Sequence, residues 1–300
     1  MPATDSEQSA SHRFRKVEVV ANVASGSVGP DAPDEIARML AQYGVSAEVH
    51  APAPDELMDR LKASIEAGPD LLITLAGDGT VRAAAELCGP DGPTIAPLPG
   101  GTMNMLPHAV YGAVPWPEAL RLALESGHER DLGGGCIEGH RFLCAAILGS
   151  PARFAAAREA VRERKLLLAW ARAKRALRRA FTGRLRYRFD DRPPAKAEAV
   201  LLICPIASKV MRADDPALEA AALDVRGAGE VLRLGFNALV SDWRADPAVE
   251  GRSCKRALIR SAHPIPAILD GETVTLPAVT EVRFDPRVCR VLAPPPKDER

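Results

Sequence analysis

Short apolar runs alternate with helical segments through the first 130 residues, and this alternation restricts the fold more than any other feature of the sequence. One intervening segment places Ile36, Met39, Leu40 and Tyr43 at the spacing of a single helix face. Strands that alternate with helices predict a parallel sheet covered on both faces, and ligands bind such sheets beyond the carboxyl ends of the strands. The four apolar runs span residues 17–23, 45–50, 70–76 and 94–99.

After residue 130 the pattern changes to short strand-like runs separated by proline and glycine turns, which predicts a mainly antiparallel domain. The whole chain carries no net charge, since 39 basic residues balance 39 acidic ones, although residues 152–186 are locally basic. This balance disfavours a nucleic-acid partner. The six cysteines lack metal-like spacing, and neither a signal peptide nor an apolar run of spanning length is visible. We therefore expect a cytoplasmic protein.

Three of the apolar runs end in glycine-bearing turns that would meet at one edge of the sheet. Backbone N–H groups in such turns, joined to a helix N-terminus, suit a phosphate. Each turn could also be an ordinary helix cap, and for Asp78 between two glycines we weigh the two interpretations evenly. Two such junctions in consecutive units, together with the turn after the first run, favour phosphate binding, with a divalent cation bridging Asp78 and the anion. The turns are Asn22-Val23-Ala24-Ser25-Gly26, Gly77-Asp78-Gly79-Thr80 and Gly100-Gly101-Thr102-Met103-Asn104.

These motifs resemble those of the diacylglycerol kinase and sphingosine kinase family of lipid kinases in its bacterial form. The family's N-P-x-S-G, G-G-D-G-T and P-x-G-T-x-N-D motifs match residues 22–26, 76–80 and 99–105, and its D-G-E motif is intact at residues 270–272. The resemblance covers residues 17–293 with the motifs in the family's order. It implies an α/β fold, with a parallel-sheet nucleotide domain like that of NAD kinase and 6-phosphofructokinase followed by a mainly antiparallel β-sandwich domain for the lipid.

The resemblance also implies ATP and Mg²⁺ as cofactors and assigns roles to individual residues. Asp78 would organise Mg²⁺ at the ATP phosphates, and Glu272 would take the proton of the lipid hydroxyl, which is a usual device of phosphoryl transfer to alcohols. Without the resemblance, Asp270-Gly271 would be interpreted as an ordinary hairpin turn. The nucleotide would contact Asn22, Ser25, Gly26, Gly77, Gly79, Thr80, Gly101, Thr102 and Asn104.

On this basis we expect a disordered N-terminus at residues 1–15, a nucleotide-binding domain at 16–130 and a β-sandwich at 131–285. The last residues, 286–300, are expected to return to the first domain. A homodimer is implied only because dimers are usual in the family that the chain resembles.

Several positions depart from the family pattern. Ala76 replaces a glycine, Arg82 and Ala83 replace a polar pair, and Met105 replaces an aspartate. A segment that helps to hold a structural Mg²⁺ in bacterial relatives would fall on residues 220–224, where Ala220 and Ala221 replace its Asp and Gly. The sequence thus leaves two alternatives to an active lipid kinase: an impaired relative that binds lipid or nucleotide without transfer, and a kinase for a soluble acceptor.

The basic segment at residues 152–182 reads as an amphipathic helix with Leu166, Trp170, Leu177 and Phe181 on one face. Such a helix is typical of contact with an anionic membrane surface. Packing on the sandwich is nearly as well supported, and RNA binding is a third option with few aromatic platforms. We expect peripheral membrane contact through Lys165, Trp170, Arg172, Lys174, Arg175, Arg178 and Arg179.

Overall fold

A computed structural model describes residues 14–149, 152, 185–223 and 249–295. The chain forms two compact units, one of residues 1–132 with 287–300 and the other of residues 133–286. The predicted fold class is confirmed, since a parallel-sheet α/β unit is followed by a mainly antiparallel one. No helix in the described ranges is long and apolar enough to cross a bilayer.

The first unit is built on a parallel sheet of four strands and on five helices. The strands are β1 (Val17–Ala21), β2 (Ala47–His50), β3 (Leu71–Ala76) and β4 (Thr94–Pro99). The helices are α1 (Ala32–Gln42), α2 (Leu57–Glu66), α3 (Asp78–Cys88), α4 (Met105–Tyr111) and α5 (Trp116–Ser126). The strand order is β2-β1-β3-β4. Every residue of β1, β3 and β4 is buried, which explains why the sequence of these strands is almost continuously apolar.

The spacing of the apolar residues determines which face of each helix packs against the sheet. In α1 the buried residues are Ala32, Ile36 and Leu40, which recur every fourth residue and face the sheet. The helix ends just before Gly44, whose φ of 68° is left-handed and costs glycine little. Because the four strands pair in parallel, they all end at the same edge of the sheet, and the helix that follows each strand starts there.

The last part of the chain completes the first unit. Val291, near the end of the long strand Val279–Ala293, pairs in parallel with Ile95 of β4. The buried Tyr111 hydroxyl donates a hydrogen bond of 2.8 Å to the Leu292 carbonyl. Arg287 donates to the Asp91 carboxylate at 2.7 Å. Strand pairing and side-chain contacts thus fix this segment within the first unit.

The second unit contains two antiparallel sheets. A hairpin of β5 (His128–Ile137) and β6 (His140–Phe142) begins the unit. The remaining strands are β7 (Ala145–Gly149), β8 (Leu185–Phe189), β9 (Ala195–Ala197), β10 (Ala199–Ile203), β11 (Leu218–Leu223), β12 (Val249–Cys254), β13 (Arg256–Arg260), β14 (Ile265–Leu269), β15 (Glu272–Leu276) and β16 (Val279–Ala293). One sheet has the order β16-β13-β8-β9, and the other has the order β12-β11-β10-β7-β14-β15.

Both sheets contribute to a single apolar core. Leu148, Leu202 and Leu218 come from one sheet, and Tyr187 and Ile259 come from the other. Alternation along β8 is strict, with residues 185, 187 and 189 buried and the two arginines between them exposed. This is the pattern of a sheet with one face on the core and one in water.

Gly135 provides a test of packing in the second unit. A Cβ at this position would lie 1.9 Å from Cζ of the fully buried Phe142 ring. We expect Gly135→Ala to lower the free energy of unfolding by about 1–3 kcal/mol, because the ring has no room to move in a packed core. Gly29→Ala is the control, since a Cβ there meets nothing within 4 Å. Equal urea midpoints for the two variants would contradict the described packing.

Candidate functional site

Three loops come together at the carboxyl ends of β1, β3 and β4 in the first unit. They are the loops that the sequence predicts for phosphate binding. The Asn22 N–H donates to the Leu75 carbonyl at 2.9 Å, and the Ser27 N–H donates to the Gly100 carbonyl at 3.1 Å. The Ser27 hydroxyl donates to the Gly101 carbonyl at 3.2 Å. The first loop is therefore bonded to the end of β3 and to the loop that follows β4.

Glycines allow these loops to approach one another closely. A Cβ on Gly101 would lie 2.7 Å from the Cα of Gly77, and a Cβ on Gly100 would lie 2.7 Å from the Ala76 nitrogen. Neither contact could be relieved by a side-chain rotation, because both neighbours are backbone atoms. On the other side, a Cβ on Gly77 would lie 3.5 Å from Oγ of Ser25. Close backbone approach of this kind is how glycine turns present N–H groups to an anion.

Asp78 joins the second loop to the third. It is the first residue of α3, and its carboxylate accepts hydrogen bonds from the backbone N–H groups of Asn104 (2.9 Å) and Met105 (2.5 Å). These N–H groups are at the start of α4, where a helix leaves its donors unpaired. Asp78 thus caps α4 from a distance of 26 residues in sequence. Each carboxylate oxygen receives one of these bonds and keeps a second lone pair.

Asn104 completes this arrangement in a left-handed conformation. Its φ and ψ are 51° and 45°, a region in which asparagine is tolerated better than most residues. The side-chain amide closes a ring with Gly101, accepting from its N–H at 2.7 Å and donating to its carbonyl at 2.9 Å. The side chain is buried, so its role in this loop is to hold the Gly101 backbone.

The remaining predicted residues of the first unit surround this junction. Ser25, Gly79 and Thr80 are half-buried, and Gly26 and Thr102 are exposed. The first turn of α3 therefore lies within reach of a ligand, and its N–H groups with the helix dipole favour an anion. Ala76 is fully buried at the end of β3, so its methyl group lies inside the unit. The departure from glycine at this position leaves the exposed edge of the loops unchanged.

The predicted base Glu272 lies in the second unit, exposed as the first residue of β15. It follows Asp270 and Gly271, which have φ values of 46° and 88° and form the tight turn between β14 and β15. The buried Asp270 carboxylate accepts three backbone hydrogen bonds, from Leu143 (2.6 Å), Cys144 (2.9 Å) and Ala145 (2.8 Å). The turn that carries Glu272 is thus tied to the segment that leads into β7.

Sequence reasoning did not identify Glu18, a buried carboxylate in the middle of the apolar strand β1. Its Oε2 accepts from Ser64 Oγ at 3.0 Å and lies 2.9 Å from His50 Nε2. Within the described ranges, Glu18, Glu48 and His50 form a group whose ligand atoms lie close enough to hold a cation. An acidic residue inside an otherwise apolar run was the available signal. The bonds to Ser64 and His50 account for Glu18 without a metal.

The cysteines give little support to a catalytic role for a thiol. All six cysteines are free and five are buried. Burial raises the pKa of Cys88 to about 12, and burial with the neighbouring Asp190 raises the pKa of Cys254 to about 12. Burial, with a smaller effect of Asp270, raises the pKa of Cys204 well above its usual range. These three thiols stay protonated at neutral pH, and only a thiolate is a strong nucleophile.

Two groups of predicted positions remain. Ala220 and Ala221 are buried in the middle of β11, between β10 and β12, and their side chains offer no oxygen to the cation that the sequence resemblance implies for this segment. The residues predicted to contact a membrane lie outside the described residues. They are Lys165, Trp170, Arg172, Lys174, Arg175, Arg178 and Arg179.

The family predicted from the motifs is confirmed for the first unit. Residues 16–133 match the diacylglycerol kinase catalytic domain, which supports phosphotransferase activity. No curated protein sequence matches the chain at a significant level.

Solved structures with the same fold span nearly the whole chain. A diacylglycerol kinase from Bacillus anthracis is 16% identical with a TM-score of 0.67, covering 94% of this chain and 98% of its own. An NAD kinase from Archaeoglobus fulgidus in complex with ATP is 12% identical with a TM-score of 0.52, covering 93% and 94%. At these identities the likeness establishes the fold.

Asp78 allows a test of the loop junction without a ligand. We expect Asp78→Ala to lower the free energy of unfolding by about 1–2 kcal/mol, because two N–H groups at the start of α4 lose a charged acceptor. Asp34→Ala is the matched control, since Asp34 is exposed in the first turn of α1. Urea denaturation measures both variants. A loss no larger than that of the control would contradict the bridging role of Asp78.

Proposed function

We propose that this chain, with a diacylglycerol kinase catalytic domain at residues 16–133, is an ATP- and Mg²⁺-dependent kinase that phosphorylates a hydroxyl of a membrane lipid. The observation that carries the proposal is the convergence of three glycine-bearing loops at the carboxyl ends of adjacent parallel strands. Backbone N–H groups and the start of α3 would bind the phosphates of ATP there. The acceptor would be a diacylglycerol-like or sphingoid-like lipid.

Oxygen donors at the loop junction fit Mg²⁺. One carboxylate with substrate phosphates is a common ligand set for this cation, and Asp78 keeps a free lone pair on each oxygen beside its backbone bonds. Bound Mg²⁺ would neutralise charge on the phosphates during transfer. Asp78 would then serve both the cation and the start of α4, so that cation binding and loop geometry depend on the same carboxylate.

In the proposed reaction the lipid hydroxyl oxygen attacks the γ-phosphorus, and the bond from that phosphorus to the β,γ-bridging oxygen breaks to release ADP. Glu272 accepts the hydroxyl proton. Asp270 supports this role because its three backbone bonds fix the turn that precedes Glu272. We further propose peripheral membrane contact through the basic segment at residues 152–182.

A second candidate is a relative that binds nucleotide or lipid without transfer. The alanines at positions 220 and 221 favour it, because they replace the Asp and Gly of the segment that the family resemblance associates with a structural Mg²⁺, and they are buried in β11. Isothermal calorimetry with Mg-ATP, together with a transfer assay on diacylglycerol, sphingoid bases and polyprenols, separates the candidates. We expect saturable ATP binding and transfer to one lipid class. ATP binding without any transfer would favour the second candidate, and no ATP binding would exclude the kinase.

Glu272→Gln tests the proposed base on whichever lipid is accepted. We expect kcat to fall by about 10²–10⁴-fold, because the amide cannot accept the hydroxyl proton, while the KM for ATP stays unchanged. Glu138→Gln is the control, since Glu138 is exposed in the turn between β5 and β6. Wild-type turnover by Glu272→Gln would show that another group is the base.

A further inference from the structure

One face of the second unit concentrates positive charge in a way that the sequence does not show. One sheet of this unit contains, as neighbouring strands, β9, β8, β13 and the segment 279–283 of β16. The inner face of this sheet contributes to the core. On the outer face these strands place six cationic side chains and one carboxylate, and we call this surface the basic sheet face. The cations are Arg186, Arg188, Lys196, Arg256, Arg260 and Arg283, and the carboxylate is Glu281.

Strand register puts like charges directly opposite one another. Arg186 of β8 faces Lys196 of β9 on one side and Arg260 of β13 on the other. Arg256 of β13 faces Arg283 of β16. Neighbouring strands are about 4.8 Å apart, and like charges directly opposite each other destabilise a sheet. Glu281 bridges the Arg256–Arg283 pair, but the two pairs made by Arg186 have no such compensation among the described residues and cost stability, so the face is better explained by a partner than by folding.

The nearby carboxylates neutralise only one side of the basic sheet face. Glu281 pairs with Arg256 and Arg283. Asp190, at the end of β8, accepts the backbone N–H groups of Lys255 and Arg256, and Asp285 lies 3.6 Å from Arg141. Across the described residues, no carboxylate lies within ion-pair distance of Arg186, Arg188, Arg260 or Lys196, which are all exposed. These four cations are available to an anionic partner.

We propose that the basic sheet face docks on an anionic phospholipid bilayer. The charges are spread across four strands instead of lining a groove, which suits an extended surface. Two apolar side chains lie among these charges and add apolar contact. They are Leu258, which is half-buried, and Val279, which is 54% exposed. The choice of a bilayer rests on the proposed function, because a kinase for a membrane lipid must reach a substrate that stays in the membrane.

Nucleic acid is less well matched to this face. Single-stranded nucleic acid binding uses exposed aromatic rings on which bases stack. The rings of β8, Tyr187 and Phe189, point to the core and are 7% and 3% exposed. The outer-face positions of the four strands carry arginine, lysine, leucine, valine and glutamate. This surface therefore provides charge without stacking platforms.

The test is co-sedimentation of the full chain with vesicles of phosphatidylcholine containing about one-third phosphatidylglycerol, at low and high salt. The variant combines Arg186→Ser, Arg188→Ser and Arg260→Ser. Each basic residue near an anionic surface is worth about a fivefold change in partitioning, so the triple variant should bind on the order of 100-fold more weakly. Binding of the wild type should fall with salt and be absent on pure phosphatidylcholine.

The matched control removes three exposed cations elsewhere, by Arg38→Ser, Lys62→Ser and Lys209→Ser, and should retain most of the binding. Urea denaturation should show the basic-face variant to be at least as stable as the wild type, because like-charge pairs are removed. Wild-type vesicle binding by the triple variant would overturn the proposal and assign the contact to another segment. Binding to an RNA oligonucleotide but not to vesicles would also overturn it.

Transfer assays keep this proposal separate from the proposed function. With a lipid acceptor presented in neutral detergent micelles, the triple variant should retain wild-type turnover and lose activity only on anionic vesicles. If no lipid is phosphorylated by the wild type but the triple variant loses vesicle binding, the docking surface stands and the kinase assignment fails.

Discussion

The first unit depends on a close approach between two backbone segments that only glycine permits. Where β3 and β4 end, a Cβ added to Gly101 would lie only 2.7 Å from the Cα of Gly77. The Asp78 carboxylate then joins this junction to the start of α4. Steric constraint and hydrogen bonding act together here. The glycines allow the loops to meet, and the carboxylate, with the Asn104 side chain, fixes the geometry in which they meet.

The same chemical device recurs in the second unit with a different backbone. Asp270 receives three N–H groups, as Asp78 receives two, and both carboxylates join segments far apart in sequence. Asp78 performs a structural task in addition to its proposed chemical one, and Asp270 performs a structural task two residues before the proposed base. A motif carboxylate is therefore insufficient as a sign of catalysis. Activity depends on whether the same group, or its neighbour, also meets the substrate.

Much of the fold can be predicted from local sequence patterns, because side chains on one face recur every two residues in a strand and every 3.6 residues in a helix. The sequence predicts strands at 70–76 and 94–99, and the structure has them at Leu71–Ala76 and Thr94–Pro99. The glycine loops could be predicted for the same reason. The Asp78 bridge, the Glu18 contacts and the basic sheet face could not, since each depends on residues brought together by pairing across dozens of positions.

The long strand Val279–Ala293 contributes to both units, with Val282 in the core of the second and Val291 paired to β4 in the first. The first unit is consequently discontinuous in sequence, and a single cut of the chain cannot produce it whole. During synthesis its sheet stays incomplete beside β4 until Val291 has left the ribosome. The glycine loops near the beginning of the chain therefore acquire their final support only when the entire second unit has already been made.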